Sequence, residues 1–191
     1  SRRSYDAITC DPFDPWTKGA AALSTREFYA AAREHLNPGG TMTVWVPLYQ
    51  TRAETVKSEI ATFLSVFPNA VVWDNVSGGG GDVVLSGRKD DVPIDLDALE
   101  ARIELPEYRL VRESLASVGF ASAVELLASF GAQGPDLAAW AAFAPLNTDR
   151  NLRLQYLAGI GFGLIEPEKI YAEMVGRRSW PKSLFTGTPR R

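Results

Sequence analysis

The alternation of apolar and polar residues divides the first half of the chain into strands and helices. Residues 5–10 (YDAITC) and 41–48 (TMTVWVPL) are short apolar runs rich in β-branched and aromatic residues, which predict two buried strands. Between them, apolar residues recur at helical spacing over residues 25–36. Strand, helix and strand in this order predict a parallel pair joined by a right-handed crossover.

The ends of this helix carry their own signals. Ser24 and Glu27 have the spacing of a capping box, which predicts that Ser24 caps the N-terminus. The sequence NPGG at residues 37–40 predicts the end of the helix, because Pro and Gly do not continue it. His35 lies in the last turn, where we expect a surface or dipole role for its side chain.

The remaining pattern predicts an α/β region followed by helices. Residues 53–67 have helical periodicity, and residues 70–76 and 82–87 predict two strands that form a hairpin around the sequence SGGGG. We therefore predict an α/β domain at residues 1–91 and a helical C-terminal region at residues 92–191. The helices predicted in that region are 96–103, 106–118, 122–130, 135–143 and 167–175.

Composition narrows the classes of function. The chain has 191 residues with 20 basic and 23 acidic side chains, so its net charge of −3 gives no field that favours nucleic acid. A lone cysteine, Cys10, excludes an internal disulfide, and no apolar run is long enough to span a bilayer. We expect a cytoplasmic location, and we expect no metal site because His35 has no neighbours at metal-ligand spacing.

Two carboxylates follow the first predicted strand. Asp11 and Asp14 lie in the sequence CDPFDPW, beyond the carboxyl end of a strand, where ligands bind in open α/β sheets. Such carboxylates can accept a proton or hold a cationic amine, and Trp16 can add an aromatic wall by a cation-π contact. Asp and Pro are also ordinary loop residues, so a purely structural turn is the alternative.

Several segments together resemble a known family. The sequences YDAITCDPFDPW, LSTREFYAAAREHLNPGG, TMTVWVPLYQ and FPNAVVWDN occur in the order of the second half of spermidine synthases, the polyamine aminopropyltransferases. The sequence PLNTD at residues 145–149 is similar to a segment of large bacterial spermidine-synthase-like proteins. We expect a structural turn at Asn147, Thr148 and Asp149, since these residue types favour caps and Asx turns.

The resemblance implies a fold that is incomplete in this chain. It implies strands 4 to 7 of a Rossmann-like class I methyltransferase fold, without the glycine-rich turn and ribose-binding acid of a nucleotide-binding half. We therefore expect the chain to need an N-terminal half or a partner chain, or to form a homo-oligomer, because its first strand would offer an unpaired edge. In some large relatives the N-terminal region is embedded in the membrane.

The resemblance also implies a reaction and its residues. The family transfers an aminopropyl group from decarboxylated S-adenosylmethionine to a diamine, without a metal. Asp11 matches the residue that deprotonates the attacking amine, and Asp14 matches a ligand of the substrate amine. The small residues Gly19 and Ala20 match the loop that touches the nucleoside. Two interpretations stand for Tyr49 and Gln50, which follow the second strand: they line the same cleft, or they are ordinary loop residues.

Two other functions remain open at this point. One is a methyltransferase-like enzyme that uses S-adenosylmethionine, and the other is a catalytically inert interaction domain whose helical region binds a partner. The amine acceptor also stays open, because Val44 or Trp45 stands where the family usually has a glutamine. The sequence SGGGG likewise replaces an aromatic-rich segment that the family uses for the diamine.

Overall fold

The computed structural model describes residues 3–11, 16–75, 81–161 and 163–188. They form two compact units, of which the first contains Ser1–Asp91 and Gly131–Ser179 and the second contains Val92–Phe130 and Trp180–Arg191. The predicted boundary after residue 91 coincides with one boundary between the units, whereas Gly131–Ser179 joins the first unit. The division into two domains stays a prediction.

The predicted α/β class is confirmed. The strands are β1 (Tyr5–Cys10), β2 (Leu36–Pro47), β3 (Val71–Asp74), β4 (Asp82–Arg88), β5 (Ile94–Asp95), β6 (Phe130–Gln133) and β7 (Phe185–Thr186). The helices are α1 (Arg26–Glu34), α2 (Ala53–Leu64), α3 (Leu96–Ile103), α4 (Arg109–Ser117), α5 (Ala123–Leu127), α6 (Gly134–Trp140), α7 (Arg153–Leu157) and α8 (Pro167–Val175). Short 3-10 helices span Ala20–Ser24, Pro106–Tyr108 and Ala158–Gly161.

A five-stranded sheet with the order β1-β2-β4-β3-β6 organises the first unit. β1 and β2 are parallel, with Cys10 opposite Val44, and α1 lies between them in sequence, as predicted. β3 and β4 are antiparallel, with Val72 opposite Leu85, which confirms the predicted hairpin. β4 is also antiparallel to β2, so the hairpin packs beside the parallel pair.

The structure corrects both predicted ends of the first helix. Thr25, not Ser24, is the N-cap, and its hydroxyl accepts a hydrogen bond from the Phe28 amide. The Ser24 hydroxyl instead donates to Glu59 on α2. The Ser24 hydroxyl is directed at α2 and the Thr25 hydroxyl at the first turn of α1, so the cap lies one residue later than predicted.

The NPGG sequence belongs to a strand rather than to a helix end. The helix ends at Glu34, and β2 begins at Leu36. The pairing with β1 shifts over this stretch, and Gly39 there adopts a φ of 74°, which glycine tolerates without a steric cost. The two glycines therefore form an irregularity at the start of β2.

The core of the first unit lies between the sheet and its helices. On α2, Val56, Ile60 and Phe63 are buried, and the Phe63 ring lies 5.0 Å from that of Tyr29 in an edge-to-face contact. The Phe67 ring stacks on Phe63 at 4.9 Å. This aromatic cluster packs α2 against α1.

The second unit contains the parallel pair of β5 and β7 with the helices α3, α4 and α5. Here the prediction of helices is partly corrected. The segment 106–118 divides into a 3-10 helix and α4, and the segment 122–130 ends at Leu127, so that Phe130 begins β6. Within the described part of the chain, no helix is both long and apolar enough to cross a membrane.

Candidate functional site

Asp11 lies where the sequence placed it, directly after β1 at the carboxyl end of the strand, and it is exposed to solvent. Because β1 and β2 are parallel, the residues that follow β2 lie at the same edge of the sheet. Tyr49 and Gln50 are among them, and both are half-buried. Asp14 lies outside the described residues, within the gap at residues 12–15.

The turn after β2 is held by its backbone and by an aromatic pair. The Leu48 amide donates to the Gly81 carbonyl at 2.8 Å, and the Gln50 amide donates to the Leu164 carbonyl at 2.6 Å. The Tyr49 ring lies 6.2 Å from that of Trp45, and a Cβ at Gly81 would come within 2.8 Å of it. This part of the edge is therefore aromatic.

The loop that leads from the acid motif to α1 has a defined backbone. Trp16 is half-buried, and Gly19 is exposed with a φ of 90°, a conformation that favours glycine. The Ala20 amide donates to the Thr17 carbonyl at 3.0 Å, which closes the turn. Ala20 itself is only 8% exposed and begins the 3-10 helix Ala20–Ser24.

A segment far along the chain holds this loop. The Gln155 side chain accepts a hydrogen bond from the Gly19 amide at 2.9 Å and donates one to the Trp16 carbonyl at 3.2 Å. The fully buried Asn147 side chain donates to the carbonyls of Ala21 and Ser24 at 2.8 and 2.9 Å. Asn147 therefore stabilises the candidate loop across a long sequence separation, in addition to any role in the turn predicted at residues 147–149.

Beneath the loop lies a buried acid that the sequence analysis did not select. Glu59 on α2 is 2% exposed, and it accepts a hydrogen bond from the Ser24 hydroxyl at 3.2 Å. Burial raises the pKa of Glu59 to about 7, although the hydrogen bond from Ser24 acts against this rise. Glu59 can therefore change its charge near neutral pH.

Two further titratable groups adjoin Glu59. Burial, and secondarily the charge of Glu59, raises the pKa of Tyr29 well above its ordinary value. Ser24 lies beside Tyr29 and opposes this rise, but no described atom meets the Tyr29 hydroxyl with hydrogen-bond geometry. Burial also raises the pKa of Cys10, followed by the charges of Glu59 and Asp11. Cys10 is thus a partly buried thiol that packs against the core rather than a reactive thiolate.

The sequence contained a signal for Glu59 but none for Gln155, the two residues of the candidate site that the sequence analysis missed. Glu59 lies three residues after Val56 on the inward face of α2. A charged residue at a position where the helical pattern requires an apolar one is a signal that the sequence did contain. Gln155 lies in a short helix, α7, that no periodic pattern predicted. Among the described residues, no group of three or more His, Cys, Asp or Glu side chains could hold a metal ion.

Comparisons with known proteins place this site in context. No family model matches the chain. Over 98 residues, half of the chain, it is 32% identical to a curated polyamine aminopropyltransferase from Oceanobacillus iheyensis. This similarity confirms, for that half, the resemblance stated from the sequence. The chain spans only 19% of the length of that relative.

One solved structure is also similar. It is that of a probable spermidine synthase from Corynebacterium glutamicum, at 20% identity and a TM-score of 0.48. The likeness covers 76% of this chain and 48% of the other.

Proposed function

We propose that this chain carries the acid-bearing half of the active site of a spermidine-synthase-like aminopropyltransferase. The observation that carries the proposal is the 32% identity to a polyamine aminopropyltransferase over half of the chain. The position of Asp11, exposed at the carboxyl end of a strand with a parallel neighbour, supports it. The reaction would join an amine to the aminopropyl group of decarboxylated S-adenosylmethionine.

In the proposed reaction, Asp11 is the general base. The ammonium group of the substrate gives a proton to the Asp11 carboxylate, and the freed nitrogen lone pair attacks the carbon beside the sulfonium. A carbon–nitrogen bond forms, the carbon–sulfur bond breaks, and its electron pair stays on sulfur, which leaves as the neutral thioether methylthioadenosine. A carboxylate suits this step because both substrates are cations that it attracts.

The remaining candidate residues take supporting roles in the proposal. Asp14 would bind the second ammonium group, and Trp16 would contact a cationic amine through its ring. Tyr49 and Gln50 would line the amine site from the end of β2. Gly19 and Ala20 would face the nucleoside, where an exposed glycine leaves space for a close approach.

The open edge of β1 supports a further part of the proposal, that the site is completed by other residues. In the described part of the sheet, β1 is an edge strand that pairs with β2 alone. Tyr5 on this strand is 44% exposed, and an apolar groove lies between β1 and α1. We infer that another strand pairs with this edge, supplied by an N-terminal half or by a second copy of the chain.

Calorimetric titration of the chain with methylthioadenosine tests the proposed function, with S-adenosylhomocysteine as the comparison. Selective binding of methylthioadenosine supports aminopropyl transfer. Preference for S-adenosylhomocysteine would instead indicate a methyltransferase-like enzyme. Failure of both nucleosides to bind, in the chain and in its assembly with an N-terminal half, would contradict the proposal.

A further inference from the structure

The side chain of Gln155 spans the turn that follows the acid motif. Its amide oxygen accepts a hydrogen bond from the Gly19 amide, and its amide nitrogen donates to the Trp16 carbonyl. One side chain thus satisfies a backbone donor and a backbone acceptor at the two ends of a four-residue turn. An amide can do both, whereas a carboxylate lacks the donor and a hydrocarbon lacks both groups.

The position of Gln155 is itself fixed by the chain around it. The adjacent Leu154 is fully buried, and its backbone amide donates to the Asn147 side-chain oxygen at 3.2 Å. The Gln155 amide donates to the Leu152 carbonyl at 3.0 Å. Asn147 in turn binds the far end of the same loop, at Ala21 and Ser24. Gln155 therefore approaches the turn from a rigid support rather than from a mobile surface.

The turn needs such a support because it contains an exposed glycine. Gly19 is exposed and has a positive φ, so its backbone has many alternative conformations in water. The described backbone hydrogen bonds of this stretch run from the Ala20 amide to the Thr17 carbonyl and from the Ala22 amide to the Gly19 carbonyl, and neither holds the Gly19 amide. The hydrogen bonds of Gln155 select one of the accessible conformations.

We propose that Gln155 is a positioning residue, whose side-chain amide holds the turn at residues 16–19 in the conformation that receives the nucleoside. This inference rests on the proposed function, in which Gly19 and Ala20 face the nucleoside. Gln155 acts through the backbone of Trp16 and Gly19 and does not itself touch the reacting atoms. The loss of its two neutral hydrogen bonds is expected to weaken nucleoside binding about tenfold.

The test compares Gln155→Met with Gln133→Met in the 191-residue chain. Methionine keeps the length of the side chain and removes its hydrogen bonds. Gln133 is the matched control, because it is also half-buried and donates to the Ser179 hydroxyl at 3.2 Å, outside the candidate loop. Each variant is titrated with methylthioadenosine, its melting temperature is recorded, and hydrogen exchange at the Gly19 amide is measured by NMR without ligand.

We expect Gln155→Met to bind methylthioadenosine about tenfold more weakly and to exchange the Gly19 amide roughly tenfold faster, with a melting temperature close to that of Gln133→Met. Gln155→Glu keeps the acceptor and should restore protection of Gly19. A purely structural role would lower the melting temperature of Gln155→Met without a specific effect at Gly19.

Two results would overturn the inference. One is unchanged affinity in Gln155→Met when the wild type binds, and the other is unchanged exchange at Gly19. If the wild type binds neither methylthioadenosine nor S-adenosylhomocysteine, alone and in its assembly with an N-terminal half, the proposed function fails, and exchange at Gly19 alone decides whether Gln155 fixes the turn. The two ideas can therefore fail separately.

Discussion

Replacing Glu59 by glutamine should make the stability of the chain less dependent on pH. In the folded chain, Glu59 is 2% exposed and its pKa is about 7, compared with an ordinary value of 4.5. The folded state therefore holds the proton more tightly than the unfolded state does. Protonated Glu59 therefore contributes to the free energy of unfolding at acid pH, and this contribution is lost as the pH rises from about 4.5 to 7.

The size of the effect follows from the shift in pKa. The rise of the pKa from 4.5 to about 7 costs the folded state about 3 kcal/mol once Glu59 is ionised. Glutamine has the same shape, and its oxygen can still accept the hydrogen bond from Ser24. Between pH 5 and pH 8.5, the free energy of unfolding of Glu59→Gln should therefore rise by about 2 to 3 kcal/mol relative to that of the wild type.

Urea unfolding followed by tryptophan fluorescence at pH 5, 6, 7 and 8.5 measures this difference. Among the described residues, the groups that interact with Glu59 are Ser24, Tyr29 and Cys10, and none of these three becomes cationic to offset the cost. Glu54→Gln is the control, because Glu54 is exposed on the same helix and should show a small change. If the free energies of unfolding of wild type and Glu59→Gln change in parallel with pH, the reasoning is refuted, because Glu59 would then have the same pKa in the folded and unfolded states.

Three further results are expected. Asp11→Asn should lower the rate of aminopropyl transfer by a hundredfold or more without a change in melting temperature. Asp91→Asn, at an exposed residue beyond the opposite edge of the sheet, should leave the rate unchanged, and equal rates for Asp11→Asn and wild type would show that Asp11 is not the general base. Asn147→Ala should cost about 3 kcal/mol in urea unfolding, because it leaves the buried carbonyls of Ala21 and Ser24 unpaired, and a loss below about 1 kcal/mol would contradict this account. Sedimentation velocity of the chain alone should show concentration-dependent association through the edge of β1, whereas a monomer whose β1 amides resist hydrogen exchange would argue against an open edge.

The sequence predicted those parts of the fold whose signals are local. The parallel pair of β1 and β2 follows from two apolar runs with a helix between them, and the hairpin of β3 and β4 follows from the glycines that separate them. Helices α3 and α8 match their predicted bounds because Asp95 and Pro167 mark their starts. In each case the residues that decide the structure lie within the element itself or next to it.

The errors arose where a distant partner decides the structure. Glycine and proline at residues 37–40 have the composition of a helix end, but pairing with β1 makes them part of β2. β6 contains Gly131, where a Cβ would come within 3.1 Å of the Tyr171 hydroxyl and 3.2 Å of Val72. The four residues of β6 contain no pattern that predicts a strand, because the side chains that require a glycine at residue 131 belong to other elements.

The candidate site shows the same division. That Asp11, Tyr49 and Gln50 lie at one edge of the sheet was predictable, because parallel strands bring the residues after them to the same edge. The partners of Gln155 lie 136 and 139 residues away in sequence, which is beyond the reach of any local pattern.

The long sequence separation between Asn147 and the loop it holds has a consequence for the order of folding. Asn147 binds carbonyls 126 and 123 residues earlier in the chain. During synthesis, β1, β2 and α1 emerge long before Asn147, so the loop between β1 and α1 waits for contacts that only a late segment can supply. A nascent chain that stops before residue 147 can form the parallel pair, but it carries an unfinished site.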